Sequence, residues 1–160
     1  MYKATDIAHV FVQKSLEERI PVTQMQLQKM VYFAHGLYLA YTGGQKLVED
    51  TFEAWKFGPV VPGIYEQYRL FGSSPITESL LDTTHPVHID LNAEAQQVID
   101  ETWNALKNIS GIQLSRWTHE TGSAWHAYYR PNTNGVVEAG IQIPDNRIIE
   151  DFKQFLTEEA

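Results

Sequence analysis

Apolar residues recur at helical spacing over most of this chain. The pattern predicts five helical segments, which begin near Ala4, Gln24, Pro62, Asn92 and Asp145. Pro21, Gly72 and Gly111 are the expected ends of the first, third and fourth segments, since proline lacks an amide donor and glycine tolerates a left-handed backbone. Helices should therefore make up most of the fold.

The second predicted helix, Gln24–Tyr41, is apolar on almost every side after Lys29. A helix with so little polar surface belongs at the centre of a domain. We therefore expect Phe33 and Leu37 to be shielded from solvent, and we expect Phe33→Ala to cost about 3–5 kcal/mol of stability. Thr23 is the expected N-cap of this helix.

Two short segments favour strands. Strand-forming residues alternate with charged ones between Leu47 and Phe57, and Val87–Ile89 could form a second strand that pairs with the first. Residues 114–129 predict two short helical turns separated by Gly122, and Asp145 is the expected cap of the last helix. The predicted class is α+β, predominantly α-helical: one compact domain over residues 1–160 with a small two- or three-stranded antiparallel sheet.

Composition narrows the classes of function. Twelve Lys and Arg against twenty Asp and Glu give a net charge of −8, which repels nucleic-acid backbones and anionic membranes. The chain has no cysteine, so disulfides, thiolate metal sites and cysteine nucleophiles are excluded. Its longest uncharged stretch, 30–45, is shorter than the roughly 20 residues that span a bilayer. We predict a cytoplasmic protein that binds neither nucleic acid nor membrane.

Candidate chemistry is sparse. The sequence lacks a Walker loop, GxGxxG, GxSxG and HExxH. Its richest polar cluster comprises Arg116, His119, Glu120 and His126, and folding could bring His35 near it. Two imidazoles and a carboxylate could bind zinc, but the spacing matches no known site. We favour a structural role in which His119 donates a buried hydrogen bond and His126 lies at the surface, and we predict no catalytic residue, metal or cofactor.

Aromatic residues are abundant and form two groups along the chain. Large rings with a polar edge anchor many protein interfaces, although most rings fill cores. For Trp55, Phe57 and Trp117 we favour the core. Tyr128 and Tyr129 border a segment rich in Pro, Asn and Gly, which makes them the better candidates for partner binding.

Three segments together resemble a known family. They are LQKMVYFAHGLYLAYTG, FEAWKFGPVVPGIYEQYRLFG and LSRWTHETGSAWHAY. In order and spacing they are similar to the Panacea domain family, which includes SocA-like antitoxins and GepA-like phage-associated proteins. The match covers about Thr23 to Tyr128. Each motif alone is weak, but the combination is specific.

The resemblance assigns family-motif positions to this chain. They are Trp55, Gly58, Pro59, Thr118, His119 and Trp125. This chain departs from the family pattern at Phe57, where a tyrosine is common, and at Ala124, where a proline is common. We also expect Gly58 and Pro59 to turn the chain sharply from strand into helix.

What the resemblance implies is an antitoxin that neutralises a cognate protein toxin by direct contact and without catalysis. Two other classes remain open. One is an adaptor or scaffold module of a phage or mobile element, and the other is a metal-dependent enzyme centred on His119, Glu120 and His126.

Overall fold

Local side-chain caps begin four of the seven α-helices in the computed structural model, which describes residues 1–80, 88–130 and 140–158. Thr23 is the N-cap of the second helix, as predicted, and it also forms a reciprocal capping box with Gln26. Asn92 accepts a hydrogen bond from the Ala95 amide at 2.7 Å. The first helix is capped from a distance, because the Ala4 amide donates to the Asp50 carboxylate at 2.8 Å. Most helix starts are therefore local properties of the sequence.

The described elements follow one another in this order: α1 (Ala4–Glu18), α2 (Gln24–Thr42), β1 (Phe52–Trp55), β2 (Gly58–Val60), α3 (Pro62–Tyr68) with a 3₁₀ turn (Arg69–Phe71), α4 (Ala93–Leu106), α5 (Gly111–Thr118), α6 (Ala124–Tyr128), β3 (Ile141–Ile143) and α7 (Asp145–Glu158). The fold is compact, mostly helical α+β, as predicted. No helix among the described residues is long and apolar enough to span a bilayer.

The sheet is antiparallel with strand order β2-β1-β3. Trp55 pairs with Gly58, so Lys56 and Phe57 form a two-residue hairpin turn. The predicted bend from strand into helix is thus a hairpin, and the helix begins only after β2, with Pro62 in its first turn. Pro59 is tolerated because β2 lies at the edge of the sheet.

Helix α2 lies at the centre of the fold, where it contacts α1, α3, α4, α5, α7 and β2. Leu27, Met30 and Val31 are fully buried. The expectation for Phe33 and Leu37 was wrong, because both are only half-buried. The central helix is not covered on all sides, and the uncovered part faces a groove described below.

Several boundaries differ from the sequence prediction. Helix α4 ends at Leu106, and Gly111 begins α5 instead of ending α4. The predicted strand at Val87–Ile89 is not seen: Val87 lies outside the described residues, and His88 and Ile89 belong to no strand. Strand β1 pairs with β2 and β3 instead. Asp145 lies in the first turn of α7, but its carboxylate accepts a hydrogen bond from His35 of α2. For Asp145 the reason is a partner on a distant helix, which a local sequence pattern does not contain.

Candidate functional site

Two side chains from later helices hold the β1–β2 hairpin by its carbonyl groups. The Trp125 indole Nε1 donates to the Trp55 carbonyl oxygen at 2.6 Å. The Ser115 hydroxyl donates to the Phe57 carbonyl oxygen at 2.7 Å. The AWKFGP and LSRWTH…AW segments, more than fifty residues apart in sequence, therefore meet at this turn.

Gly58 packs directly against side chains of the helices beneath the hairpin. Its φ is +123°, a conformation that favours glycine. A Cβ there would lie 2.8 Å from Thr118 Oγ1 and 2.9 Å from Lys29 Nζ, and closer still to Lys29 Cε. The Lys29 and Thr118 polar atoms thus lie within about 5.7 Å of each other, below a residue that has no side chain.

Lys29 is a buried cation. Lys29 is 1% exposed, and no salt bridge joins its ammonium group to a carboxylate among the described residues. Burial lowers the pKa of Lys29 to about 8, because a charged group loses hydration in an apolar interior. Sequence reasoning missed the burial of Lys29. The signal that could have indicated it is the position of a lysine inside an otherwise apolar helix.

Gln28, the residue before Lys29, is also buried and also binds the hairpin segment. Its side-chain oxygen accepts from the Val61 amide at 3.0 Å, and its amide nitrogen donates to the Val61 carbonyl oxygen at 3.2 Å. These two hydrogen bonds pair the amide and the carbonyl group of Val61, the residue that precedes α3. The LQK motif therefore fixes the hairpin from below, a role that sequence reasoning missed.

His119, Trp125 and Tyr129 form a continuous stack of rings. Ring centroids lie 3.7 Å apart for His119 and Trp125 and 4.6 Å apart for Trp125 and Tyr129, with an interplanar angle of 16° in both pairs. The predicted buried hydrogen bond of His119 is absent, because its Nε2 is buried without a partner in the part of the chain that the structure describes. Burial lowers the pKa of His119, and the nearby Lys29 charge adds to the effect.

The geometry gives no support to the zinc alternative. Within residues 1–80, 88–130 and 140–158, no three His, Asp or Glu side chains are grouped so as to hold a metal ion. His126 is exposed, as expected. His35 is fully buried and pairs with Asp145, with 2.9 Å between Nε2 and Oδ1.

Lys29, Gly58, Thr118, His119 and Trp125 together form what we call the motif cluster. Beside it lies a groove of about 780 Å³ between α2, α4, α5 and α7. Three large rings on its walls remain well exposed: Tyr41 at 45%, Trp117 at 39% and Phe155 at 45%. Phe33 and Leu37 of the central helix also line it, which explains why they are only half-buried. Thr118 belongs to both the groove and the motif cluster.

The placement of two aromatic residues corrects the sequence analysis. Both were expected in the core and both are exposed. Phe57 is 56% exposed at the tip of the hairpin, and Trp117 is 39% exposed on the wall of the groove. Trp55 is half-buried and packs against the Tyr65 ring at 5.1 Å. Tyr128 and Tyr129, predicted as partner-binding residues, are half-buried against the core, and their role in binding stays a prediction.

The charged groups that line the groove are acidic. The described lining residues include Glu101, Glu120 and Asp151 and contain no Lys, Arg or His. Asp151 is neutralised by Arg147, 2.7 Å away, whereas the Glu101 and Glu120 carboxylates pair with no cation among the described residues. The groove is thus an apolar, ring-lined surface with uncompensated negative charge.

Comparisons with known proteins agree with the family resemblance. Residues 27–126 match the family described as "Antitoxin SocA-like, Panacea domain". The chain is 32% identical over 157 residues to Antitoxin SocA of Caulobacter vibrioides (strain NA1000 / CB15N), an alignment that covers 94% of this chain and 82% of that protein. No solved structure matches the chain. The matched span contains Lys29, the hairpin and the first two rings of the stack, and the chain belongs to the Panacea domain family of SocA-like antitoxins.

Proposed function

We propose that this protein neutralises a cognate protein toxin by binding it directly, without catalytic turnover. Membership of an antitoxin family supports a toxin partner in general. The observation that carries the proposal of direct binding is the groove between α2, α4, α5 and α7, where Tyr41, Trp117 and Phe155 expose large rings. Rings of this kind anchor many protein interfaces, because they bury a large apolar area at a small cost in side-chain entropy.

The motif cluster has a supporting role in this proposal. Hydrogen bonds to the Trp55 and Phe57 carbonyl oxygens hold the hairpin against α5 and α6, and Lys29 and Gln28 pack beneath it. Trp117 lies in α5 immediately before Thr118, so the contacts that fix α5 also fix one wall of the groove. A surface held in its binding conformation loses less entropy on association.

The experiment is co-expression with the small toxic protein encoded by a neighbouring gene, with growth rescue as the first readout. Purified protein and toxin should then elute together from a sizing column, and inhibition of the toxin should saturate at about one antitoxin per toxin. Inactivation of a large molar excess of toxin by a trace of this protein would replace binding with catalysis. Growth rescue without a complex would contradict direct binding.

Variants separate the two candidate binding faces. Trp117→Ala and Phe155→Ala test the groove, and Tyr128→Ala and Tyr129→Ala test the residues predicted from sequence. Central anchors typically lose about 2 kcal/mol or more of binding free energy when truncated. Ile112→Ala is the matched control, because Ile112 is 64% exposed and does not line the groove. Thermal melts of each variant distinguish lost binding from lost folding.

A further inference from the structure

We infer that the groove receives a basic amphipathic helix from the partner, with its apolar face on the ring-lined floor and its cations beside Glu101 and Glu120. The inference rests on the proposed function and adds the chemistry of the bound segment. It starts from the uncompensated charge of the groove, whose described lining residues carry carboxylates and no cation.

The two carboxylates come from separate walls. Glu101 lies on α4, where it accepts hydrogen bonds from Tyr41 and Gln97, each at 3.0 Å. Glu120 follows α5, and its carboxylate has no partner within the described residues. An apolar partner surface would cover both groups without compensating their charge, which is unfavourable. A partner that carries Lys or Arg at these positions would pair with them.

A second copy of this chain is a poor occupant. Each copy carries a net charge of −8, and two of its carboxylates, Glu101 and Glu120, lie at the groove itself. Like charges facing each other across an interface raise the free energy of association and slow encounter. The same argument disfavours nucleic acid and any acidic peptide.

A helix suits the surface better than an extended strand. The groove runs between four helices, and the lining residues offer side chains instead of a free sheet edge. Helix-in-groove complexes use apolar anchors at i, i+3, i+4 and i+7, with polar residues on the remaining positions. The predicted segment therefore has leucine-like or aromatic anchors at that spacing and Lys or Arg on either side.

Three synthetic peptides test the inference. One has 18 residues with Leu at i, i+3, i+4 and i+7 and Lys elsewhere, one keeps the leucines but has Glu elsewhere, and one has the basic composition in scrambled order. Fluorescence polarisation measures affinity, and the Trp117 indole resonance, assigned with Trp117→Phe, reports occupancy of the groove. We expect only the basic amphipathic peptide to bind and to shift that resonance, with weaker binding at high salt.

Charge variants locate the binding. Glu101→Gln with Glu120→Gln should weaken binding of the basic peptide about fivefold, since exposed ion pairs contribute only modestly to affinity. The matched control is Glu17→Gln with Glu94→Gln, which removes the same charge at exposed positions outside the groove. Equal losses in the two double variants, no preference for the basic peptide, or an unmoved Trp117 resonance would each overturn the inference.

The toxin complex separates this inference from the proposed function. If the wild-type protein binds toxin but Glu101→Gln/Glu120→Gln binds it with unchanged affinity, the basic-helix inference is wrong and direct neutralisation stands. If the wild-type protein forms no complex with toxin, the proposed function is wrong, whether or not the basic peptide binds.

Discussion

The side chain of Lys29 lies directly beneath the backbone of Gly58, so that a Cβ at position 58 would come within 2.9 Å of the lysine Nζ. This contact joins the central helix to the hairpin that carries the glycine-proline motif. It also explains why the motif needs glycine: the position has a φ of +123° and no space for a side chain.

Gly58→Val should destabilise the protein by about 3 kcal/mol or more, because it adds backbone strain to overlap with Lys29 and Thr118. Chemical unfolding measures the difference. Gly122→Val is the control, since Gly122 also has a positive φ, +88°, but a Cβ there would meet no atom within 4 Å. Equal losses at the two glycines would show that the Lys29 contact contributes nothing.

Lys29→Met should raise stability at pH 7 by about 1–3 kcal/mol, because it removes a buried cation that has no counter-ion among the described residues. The pKa of Lys29 falls from 10.5 to about 8 on folding, so the unfolded chain holds more protons between those values. Wild-type stability should therefore rise with pH across this window relative to the variant.

The measurement is the free energy of unfolding from pH 7 to pH 10 for both proteins. Lys153→Met, an exposed lysine on α7, serves as the control and should change neither the stability nor its pH dependence. A difference between wild type and Lys29→Met that stays constant from pH 7 to pH 10 would show that Lys29 titrates normally.

Asp145→Ala should cost about 1–3 kcal/mol, because it leaves the buried His35 Nε2–H without an acceptor. The Val48 amide donates to His35 Nδ1 at 3.3 Å, so Nε2 is the ring nitrogen that donates to Asp145. Asp145→Asn should restore part of the loss. Asp90→Ala, which breaks a fully exposed contact with His88, should have almost no effect in the same thermal melts.

The same pair predicts acid sensitivity. Burial alone would raise the pKa of Asp145, but the hydrogen bond from His35 and the nearby Lys46 ammonium outweigh it and lower the pKa below its usual value. The stabilisation from this carboxylate is therefore present above its unfolded pKa, near 4, and is lost as the pH falls through the folded value. Asp145→Ala should flatten the acid limb of the stability curve.

His119→Phe should match or exceed wild-type stability, whereas His119→Ala should lose about 1 kcal/mol. Phenylalanine keeps the 3.7 Å stack on Trp125 and removes the buried nitrogen that has no partner in the described chain. Metal analysis of the purified wild-type protein should find no stoichiometric zinc. About one zinc per chain, lost in His119→Ala, would instead support the metal-dependent enzyme.

The sequence by itself determined the features that depend on neighbours within a few residues. Thr23 and Asn92 cap their helices as predicted, since N-cap hydrogen bonds reach only two or three residues along the chain. Pro62 begins α3 for the same local reason. The mostly helical class could be predicted because apolar residues recur at helical spacing over most of the chain, and the family because each of its three motifs is a continuous segment of sequence.

Only the tertiary structure decided which residues meet across long separations. Lys29 contacts Gly58, Asp145 pairs with His35 instead of capping its own helix, and His119 stacks on Trp125 without the expected hydrogen bond. The burial of individual side chains was also decided by packing between distant segments. Phe33 and Trp117 look like core residues in sequence, but they line a groove because the packing of α2, α4, α5 and α7 leaves a gap there that no short-range pattern encodes.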